Sequence, residues 1–231
     1  TASGSVDTSY VTNSRLAAWN TVLSQIAVYP STAGANAGKV VGVGSGPFVG
    51  RLNSDGTNDG TLTDGFKSWW LTNYGSDTGL TYTAVRVLPT GEILLTAKDD
   101  QAYSWLVRLT TTGQLDASFN NGNPRNLPYN ELPWDLEVYP ATAINGKAGW
   151  IAVAGGDSAG NWAWASAFAP DGKSQDNRFG WPGTPNGWFS DIRAVGINAI
   201  GEVEFGGFLR SSSAVPFDTQ PGIWAGVEVN D

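Results

Sequence analysis

The chain has neither histidine nor cysteine in its 231 residues. That removes Ser-His-Asp and Cys-His nucleophile arrangements, along with zinc sites of the usual His/Cys type. What remains is carboxylate chemistry, lysine chemistry, hard-cation binding and the faces of eleven tryptophans. Six of the twenty-one acidic residues recur at turn positions: Asp55 and Asp171 stand before Gly, while Asp7, Asp64, Asp116 and Asp176 stand just ahead of an aromatic residue. Asp at such places is expected to cap turns by accepting hydrogen bonds from backbone N–H groups. Residues 53–60 are oxygen-rich and superficially like a calcium loop. They lack the distal bidentate Glu and the EF-hand spacing, so they read as a surface turn. The glutamates Glu92, Glu131, Glu137, Glu202, Glu204 and Glu228 fall mostly in repeated strands and hairpins. A glycosidase pair would need two carboxylates at a set separation in space, and no local spacing marks one. The expectation is a protein that is not an enzyme, with no catalytic residues, no metal site and no cofactor.

The tryptophans divide in two. Trp105, Trp164 and Trp224, with Phe48, occupy one equivalent place, three residues before Arg108, Ala167, Val227 and Arg51. Equivalence of that kind predicts core packing. Trp69, Trp70, Trp181 and Trp188 have no counterparts and lie near Gly, Pro and Asn in connecting segments. Exposed indole faces suit sugar rings or a partner surface, so these four are the candidate binding residues.

The elements that must position them repeat along the chain. Arg108-Leu109-Thr110-Thr111-Thr112-Gly113 leads to Leu115-Asp116-Ala117-Ser118-Phe119; Arg51-Leu52-Asn53-Ser54-Asp55-Gly56 leads to Leu62-Thr63-Asp64-Gly65-Phe66. The pattern recurs at Phe168-Ala169-Pro170-Asp171-Gly172 with Gln175-Asp176-Asn177-Arg178-Phe179, and in part at residues 4–10. A second block alternates with it, as in Ala84-Val85-Arg86-Val87-Leu88-Pro89 followed by Gly91-Glu92-Ile93-Leu94-Leu95. Its relatives begin at Ile26, Leu136 and Ile192. Each reads as strand, Gly-containing turn, strand. The aromatic ends of the motif, Tyr10, Phe66, Phe119 and Phe179, fall at near-equal intervals and tile the chain as 11–66, 67–119, 120–179, and 180–231 with 1–10. Residues 224–231 match the first half of the motif and residues 4–10 the second, so one repeat is divided between the two ends. The expected fold is all-β: a single-domain, four-repeat β-propeller over 1–231, its ring closed by pairing of N- and C-terminal strands, within one molecule or between neighbours.

This pattern of Arg-Leu strand, Asp-Gly turn, Leu-Asp-x-x-Phe and Gly-Glu/Lys hairpin resembles the delta-60 repeat family of bacterial and phage proteins. The resemblance covers essentially the whole chain. It departs in the fourth repeat, where Val227 and Val229 replace Arg and Leu and Gly196 replaces Pro. It implies a β-propeller and a virion or extracellular setting, and no catalytic residue is associated with the motif.

Composition agrees with this class. Thirty Gly and twelve Pro fit short strands and tight turns rather than helices. The net charge of −8, without a Lys/Arg cluster, offers no footprint for nucleic acid or anionic lipid. No run approaches eighteen apolar residues, and the first thirty residues lack a signal-peptide pattern, so no membrane insertion is expected. Absence of Cys and Met leaves no disulfide and few easily oxidised side chains, which suits a life outside the cytoplasm. The expected role is a non-catalytic structural or attachment module: a phage virion component such as a capsid decoration, tail or fibre protein, or a bacterial surface protein. Its partners would be proteins of the assembly, homo-oligomerisation being open. The alternative is a secreted carbohydrate-binding lectin with Trp-lined sites for glycans.

Overall fold

A computed structural model describes residues 19, 21–127, 131–144, 146–157, 163–176, 187–211 and 219–226. Fourteen strands and one α-helix are described. The strands are β1 (Leu23–Val28), β2 (Val40–Gly44), β3 (Phe48–Leu52), β4 (Thr81–Val87), β5 (Ile93–Lys98), β6 (Ser104–Leu109) and β7 (Arg125–Asn126). They continue with β8 (Glu131–Val138), β9 (Ile151–Asp157), β10 (Ala163–Phe168), β11 (Gln175–Asp176), β12 (Gly187–Ile197), β13 (Val203–Ser211) and β14 (Thr219–Gly226). These strands form four antiparallel sheets, hydrogen-bonded in chain order: β1-β2-β3, β4-β5-β6-β7, β8-β9-β10-β11 and β12-β13-β14. The all-β class holds, and each sheet falls within one sequence repeat or its immediate border. The expected ring closure involves residues 1–10 and 227–231, which lie outside the described residues.

Two compact units divide the chain. One carries the described residues up to Leu95 together with Arg108–Asp116; the other carries Thr96–Val107 and the described residues from Ala117 onward. In the second unit, Tyr139, Ala152, Ala154, Ala165, Ala167, Ile192, Val195, Val203 and Phe205 form one buried cluster. Strand β5 is buried from Ile93 to Ala97, on both faces. Its run Ile-Leu-Leu-Thr-Ala therefore shows no alternation, as a strand covered on both sides requires.

The two units repeat one another at a constant offset in sequence, with Gln25 matched by Asp135 and Val85 by Val195. In β1, pairing with β2 skips Ser24, so that Leu23 faces Gly44 and Gln25 faces Val43. In β8, pairing with β9 skips Trp134, so that Pro133 faces Gly155 and Asp135 faces Ala154. These are β-bulges, in which one extra residue bends the strand and crowds the partner opposite. Glycine is required there: a Cβ on Gly44 would lie 2.2 Å from the Val22 carbonyl oxygen, and one on Gly155 2.0 Å from that of Leu132. Beyond each bulge a polar side chain reaches the next sheet. Gln25 Oε1 accepts from the Val85 backbone N–H at 2.6 Å, and Asp135 Oδ2 accepts from that of Val195 at 3.0 Å. Thr32 donates to the Pro89 carbonyl, and Thr142 donates to that of Ala199. Ala199, rather than Gly196, therefore stands in the place of Pro89.

The Arg-Leu motif has an invariant of its own. Arg51 Nε donates to Asp59 Oδ2 at 2.7 Å, and Arg108 Nε donates to Asp116 Oδ2 at 2.8 Å, the partners standing eight positions apart in each case. This adds to the turn reading. Asp55 and Asp171 do cap turns, accepting from the backbone N–H of Thr57 and Lys173. Asp116 also anchors an arginine, and Asp176 pairs with Lys147 Nζ at 3.2 Å. Asp59, inside the calcium-like stretch, accepts from Lys39 and Arg51 on one oxygen and from Thr61 on the other. Burial pushes its carboxyl up, but the Lys39 and Thr61 hydrogen bonds and the Arg51 charge outweigh that and hold it well below the usual carboxylate range. Both oxygens of Asp59 are thus engaged by the protein itself.

In the third repeat Ala167 stands where Arg51 and Arg108 stand, and one consequence is visible. Tyr29 is buried and its hydroxyl accepts from Arg51 Nη1 at 3.2 Å. Tyr139, its counterpart in the second unit, is equally buried, yet among the described residues its hydroxyl has no hydrogen-bond partner. Burial, then the charge of Asp176, raises the Tyr139 phenol above its ordinary range. A buried hydroxyl without a partner costs about 1–3 kcal/mol. Tyr139→Phe is therefore expected to leave stability unchanged or raise it by about 1 kcal/mol, whereas Tyr29→Phe lowers it by about 1–2 kcal/mol. Urea denaturation of the two variants beside the parent protein checks this; equal losses in both would refute the account.

Candidate functional site

Two of the four tryptophans chosen from sequence come together on the single described α-helix, α1 (Gly65–Tyr74). A helix at this point departs from the sequence reading, which takes residues 62–66 as a copy of the turn motif and Trp69 and Trp70 as loop residues. Its end signals are present in the sequence. Asp64 is the N-cap, its Oδ1 accepting from the Lys67 backbone N–H at 2.8 Å, and Gly75 ends the helix in the left-handed region at φ +77°. Aligning the repeats assigns Asp64 to the role of Asp116, which masks both signals.

The helix places its aromatics by the ordinary spacing of three and four residues. Phe66 and Trp70 are buried, with rings edge-to-face at 6.3 Å, and Phe66 also lies 5.7 Å from the Tyr82 ring. Trp69 is half-buried and stacks on Phe66 at 5.8 Å. Tyr74 lies over Trp70 at 4.1 Å in a stacked arrangement and meets Trp69 edge-on at 6.1 Å. Tyr74 is 56% exposed and Leu71 39%. The Trp70 indole N–H donates to the Ser76 carbonyl at 2.6 Å, which fixes the ring from its far side. The outcome is an aromatic stack whose outer members, Trp69 and Tyr74, reach solvent.

Beneath the stack, the Tyr82 hydroxyl donates to the Asp64 carboxylate, 3.0 and 2.9 Å from its two oxygens. Burial raises the Asp64 carboxyl above its ordinary range, against the Lys67 and Tyr82 hydrogen bonds that lower it. Burial and the Asp64 charge push the Tyr82 phenol well up. Capping accounts for this pair without a reacting partner: the carboxylate holds the helix start, and the phenol satisfies its remaining lone pairs. At the other end, Lys67 Nζ pairs with Asp77 Oδ2 at 2.8 Å.

Trp188 lies in β12, opposite Arg210 of β13, in the other unit. Trp181 lies outside the described residues. Trp105 and Trp164 are buried, as their equivalence predicts, and the Trp164 indole N–H donates to the Gly156 carbonyl at 3.1 Å. Trp134 is not distinguished by sequence at all, although its unit converges cations on it: Lys98 Nζ stands 4.7 Å and Arg193 Cζ 4.0 Å from its ring centre. Among the described residues no group of three or more acidic, His or Cys side chains is arranged to hold a metal ion.

No family model matches the chain, and no curated protein matches it. A solved structure described as a protein of unknown function from Bacteroides caccae is similar at 12% identity and a TM-score of 0.45. The match covers 87% of this chain and 60% of that one, so this chain spans less than two thirds of its length.

Within the stack the two adjacent tryptophans carry different loads. Trp70→Ala should lower stability by about 3–5 kcal/mol, as loss of a buried ring does. Trp69→Ala should cost under about 2 kcal/mol, since its ring is only partly withdrawn from water. Thermal or urea unfolding separates the two, and a larger loss for Trp69 would show that the stack is not built as described.

Proposed function

We propose that the chain is a four-bladed β-propeller and that it acts as a non-catalytic structural or attachment module, as a component of a phage particle or of a bacterial surface. The observation that carries this reading is the match of one antiparallel sheet to each sequence repeat, with strands in plain chain order. Up-and-down antiparallel sheets repeated along a chain are the kind of unit from which propellers are built, which supports this reading. Successive sheets within a unit are joined by recurring side-chain bonds at fixed spacing, which suits a body that bears load rather than one that opens and closes around a substrate. The aromatic helix supplies a contact surface: its exposed rings are held by stacking and lose little freedom when a partner covers them. The resemblance to the delta-60 repeat family supports the same setting.

A second reading, a lectin, is favoured by the exposed Tyr74 ring and the half-buried Trp69 beside it. Flat aromatic faces of this kind pack against pyranose rings.

Ring closure has a direct test, because the chain has no cysteine of its own. Ser5→Cys combined in turn with Val227→Cys, Glu228→Cys or Val229→Cys should give a disulfide, within one molecule for a closed ring or between two for an exchanged one. A set of variants that forms neither on non-reducing gels would count against the propeller. For the role itself, mass spectrometry of purified particles and envelope fractions from the native source should recover the chain with particles or cell surface. Recovery only with soluble cytoplasmic proteins would reject attachment, and a glycan array with signal abolished by Trp69→Ala would favour the lectin.

A further inference from the structure

Trp134 and Arg193 are both the odd residue at a break in strand register. Pairing of β8 with β9 passes from Pro133 to Asp135, and pairing of β12 with β13 passes from Ile192 to Ala194. A bulge of this kind re-aims the skipped side chain, and bulges are over-represented beside functional sites. Here the two skipped residues meet: Arg193 Cζ stands 4.0 Å from the centre of the Trp134 ring. Lys98, at the end of β5, brings a second cation to 4.7 Å from the same centre. Trp134 and Lys98 are half-buried and Arg193 is exposed. Among the described residues, no carboxylate pairs with Lys98.

The internal repeat shows that the fold does not need this cluster. In the first unit the β1 bulge carries Ser24 where β8 carries Trp134, and Thr83 stands where Arg193 stands. The neighbouring structural bonds are the same in both units. Like charges brought together at one ring repel one another, while the shared indole attracts both. Burial, and then the Arg193 charge, hold the Lys98 ammonium below its ordinary range.

We infer that Lys98, Trp134 and Arg193 form a binding site for the sulfate or carboxylate groups of an acidic saccharide. The two cations donate charge-assisted hydrogen bonds to the oxyanion, and the indole edge packs against the sugar ring that carries it. The site uses no residue of the aromatic helix, and either can fail without the other.

The test uses the full chain, with a sulfated heparin-derived oligosaccharide, an oligogalacturonate and a neutral cello-oligosaccharide as probes in calorimetry at low ionic strength. Binding of the sulfated or the uronate probe is expected, and which of them binds identifies the acidic group. Affinity should fall about tenfold for Lys98→Gln and for Arg193→Gln, and further for the double variant. A readout that a purely structural role would not move is the Lys98 ammonium followed by NMR: a bound anion counters the Arg193 charge, so its pKa should rise when the probe is added. That measurement uses the unaltered protein and stands even if a variant unfolds. No binding of either acidic probe, equal binding of the neutral probe, undiminished binding by the folded double variant, or a Lys98 pKa unmoved by a bound probe would each overturn the inference.

Discussion

Strands β4 and β12 are the edges of their sheets, and each gives a backbone N–H to a polar side chain of the sheet before it. An edge strand otherwise presents unpaired donors, which invite aggregation when exposed and cost free energy when buried. Gln25 and Asp135 meet that need, and the rest of each unit is arranged so that they can. The bulges at Ser24 and Trp134 lie immediately before them, and the opposing strand must leave space for the displaced carbonyl, which is why Gly44 and Gly155 stand where they do. The Thr32 and Thr142 bonds secure the hairpin ends of the same pairs of sheets. Bulge, glycine and reaching side chain thus form one device, used twice.

That device makes the working unit a pair of sheets rather than one. Gln25 and Asp135 occur in the first and third sheets, while the corresponding places in the second and fourth are Ala84 and Ala194, which have no group to reach with. The longer period, that of a sheet pair, is therefore stricter than the period of a single repeat. The Arg51–Asp59 and Arg108–Asp116 pairs follow the shorter period, fixing the turn after one strand in the first and second repeats. Two levels of repetition coexist because the two sets of bonds satisfy different needs: local closure of a turn, and cover for an edge.

Much of the sheet framework is legible in the sequence. Apolar runs bounded by Gly and Pro mark the strands, and Gly91 and Gly201, both at φ +96°, sit at the hairpin turns where the repeat places them. The helix escapes because an imperfect repeat extends through residues 62–66, where Asp64 caps a helix instead of anchoring an arginine. Residue type does not tell those two roles apart. The partner of Arg51 is the carboxylate eight positions downstream, Asp59, and only the structure makes that distance the defining feature. Trp69 and Trp70 cannot be ranked from sequence, since neighbours on a helix face about 100° apart and only packing decides which is buried. Trp134 is invisible for a different reason. Its significance depends on two bulges and on cations from two other strands, none of which has a local signature.

The positions where equivalent residues differ separate framework from function more sharply than composition does. Tyr29 and Tyr139 occupy the same buried place, yet only the first has its arginine; replacement of that arginine by Ala167 leaves the second hydroxyl with no partner among the described residues, a cost the fold tolerates without visible return. Substitution of Ser24 by Trp134 and of Thr83 by Arg193 is of another kind, because the new side chains meet each other and a lysine. One change removes an interaction and adds none; the other assembles three residues from three strands around a single ring. A scaffold repeated twice offers this comparison internally. The device that covers the edges is kept in both units, and the residue at the crest of the bulge, which the device leaves free to vary, is where the two units have diverged.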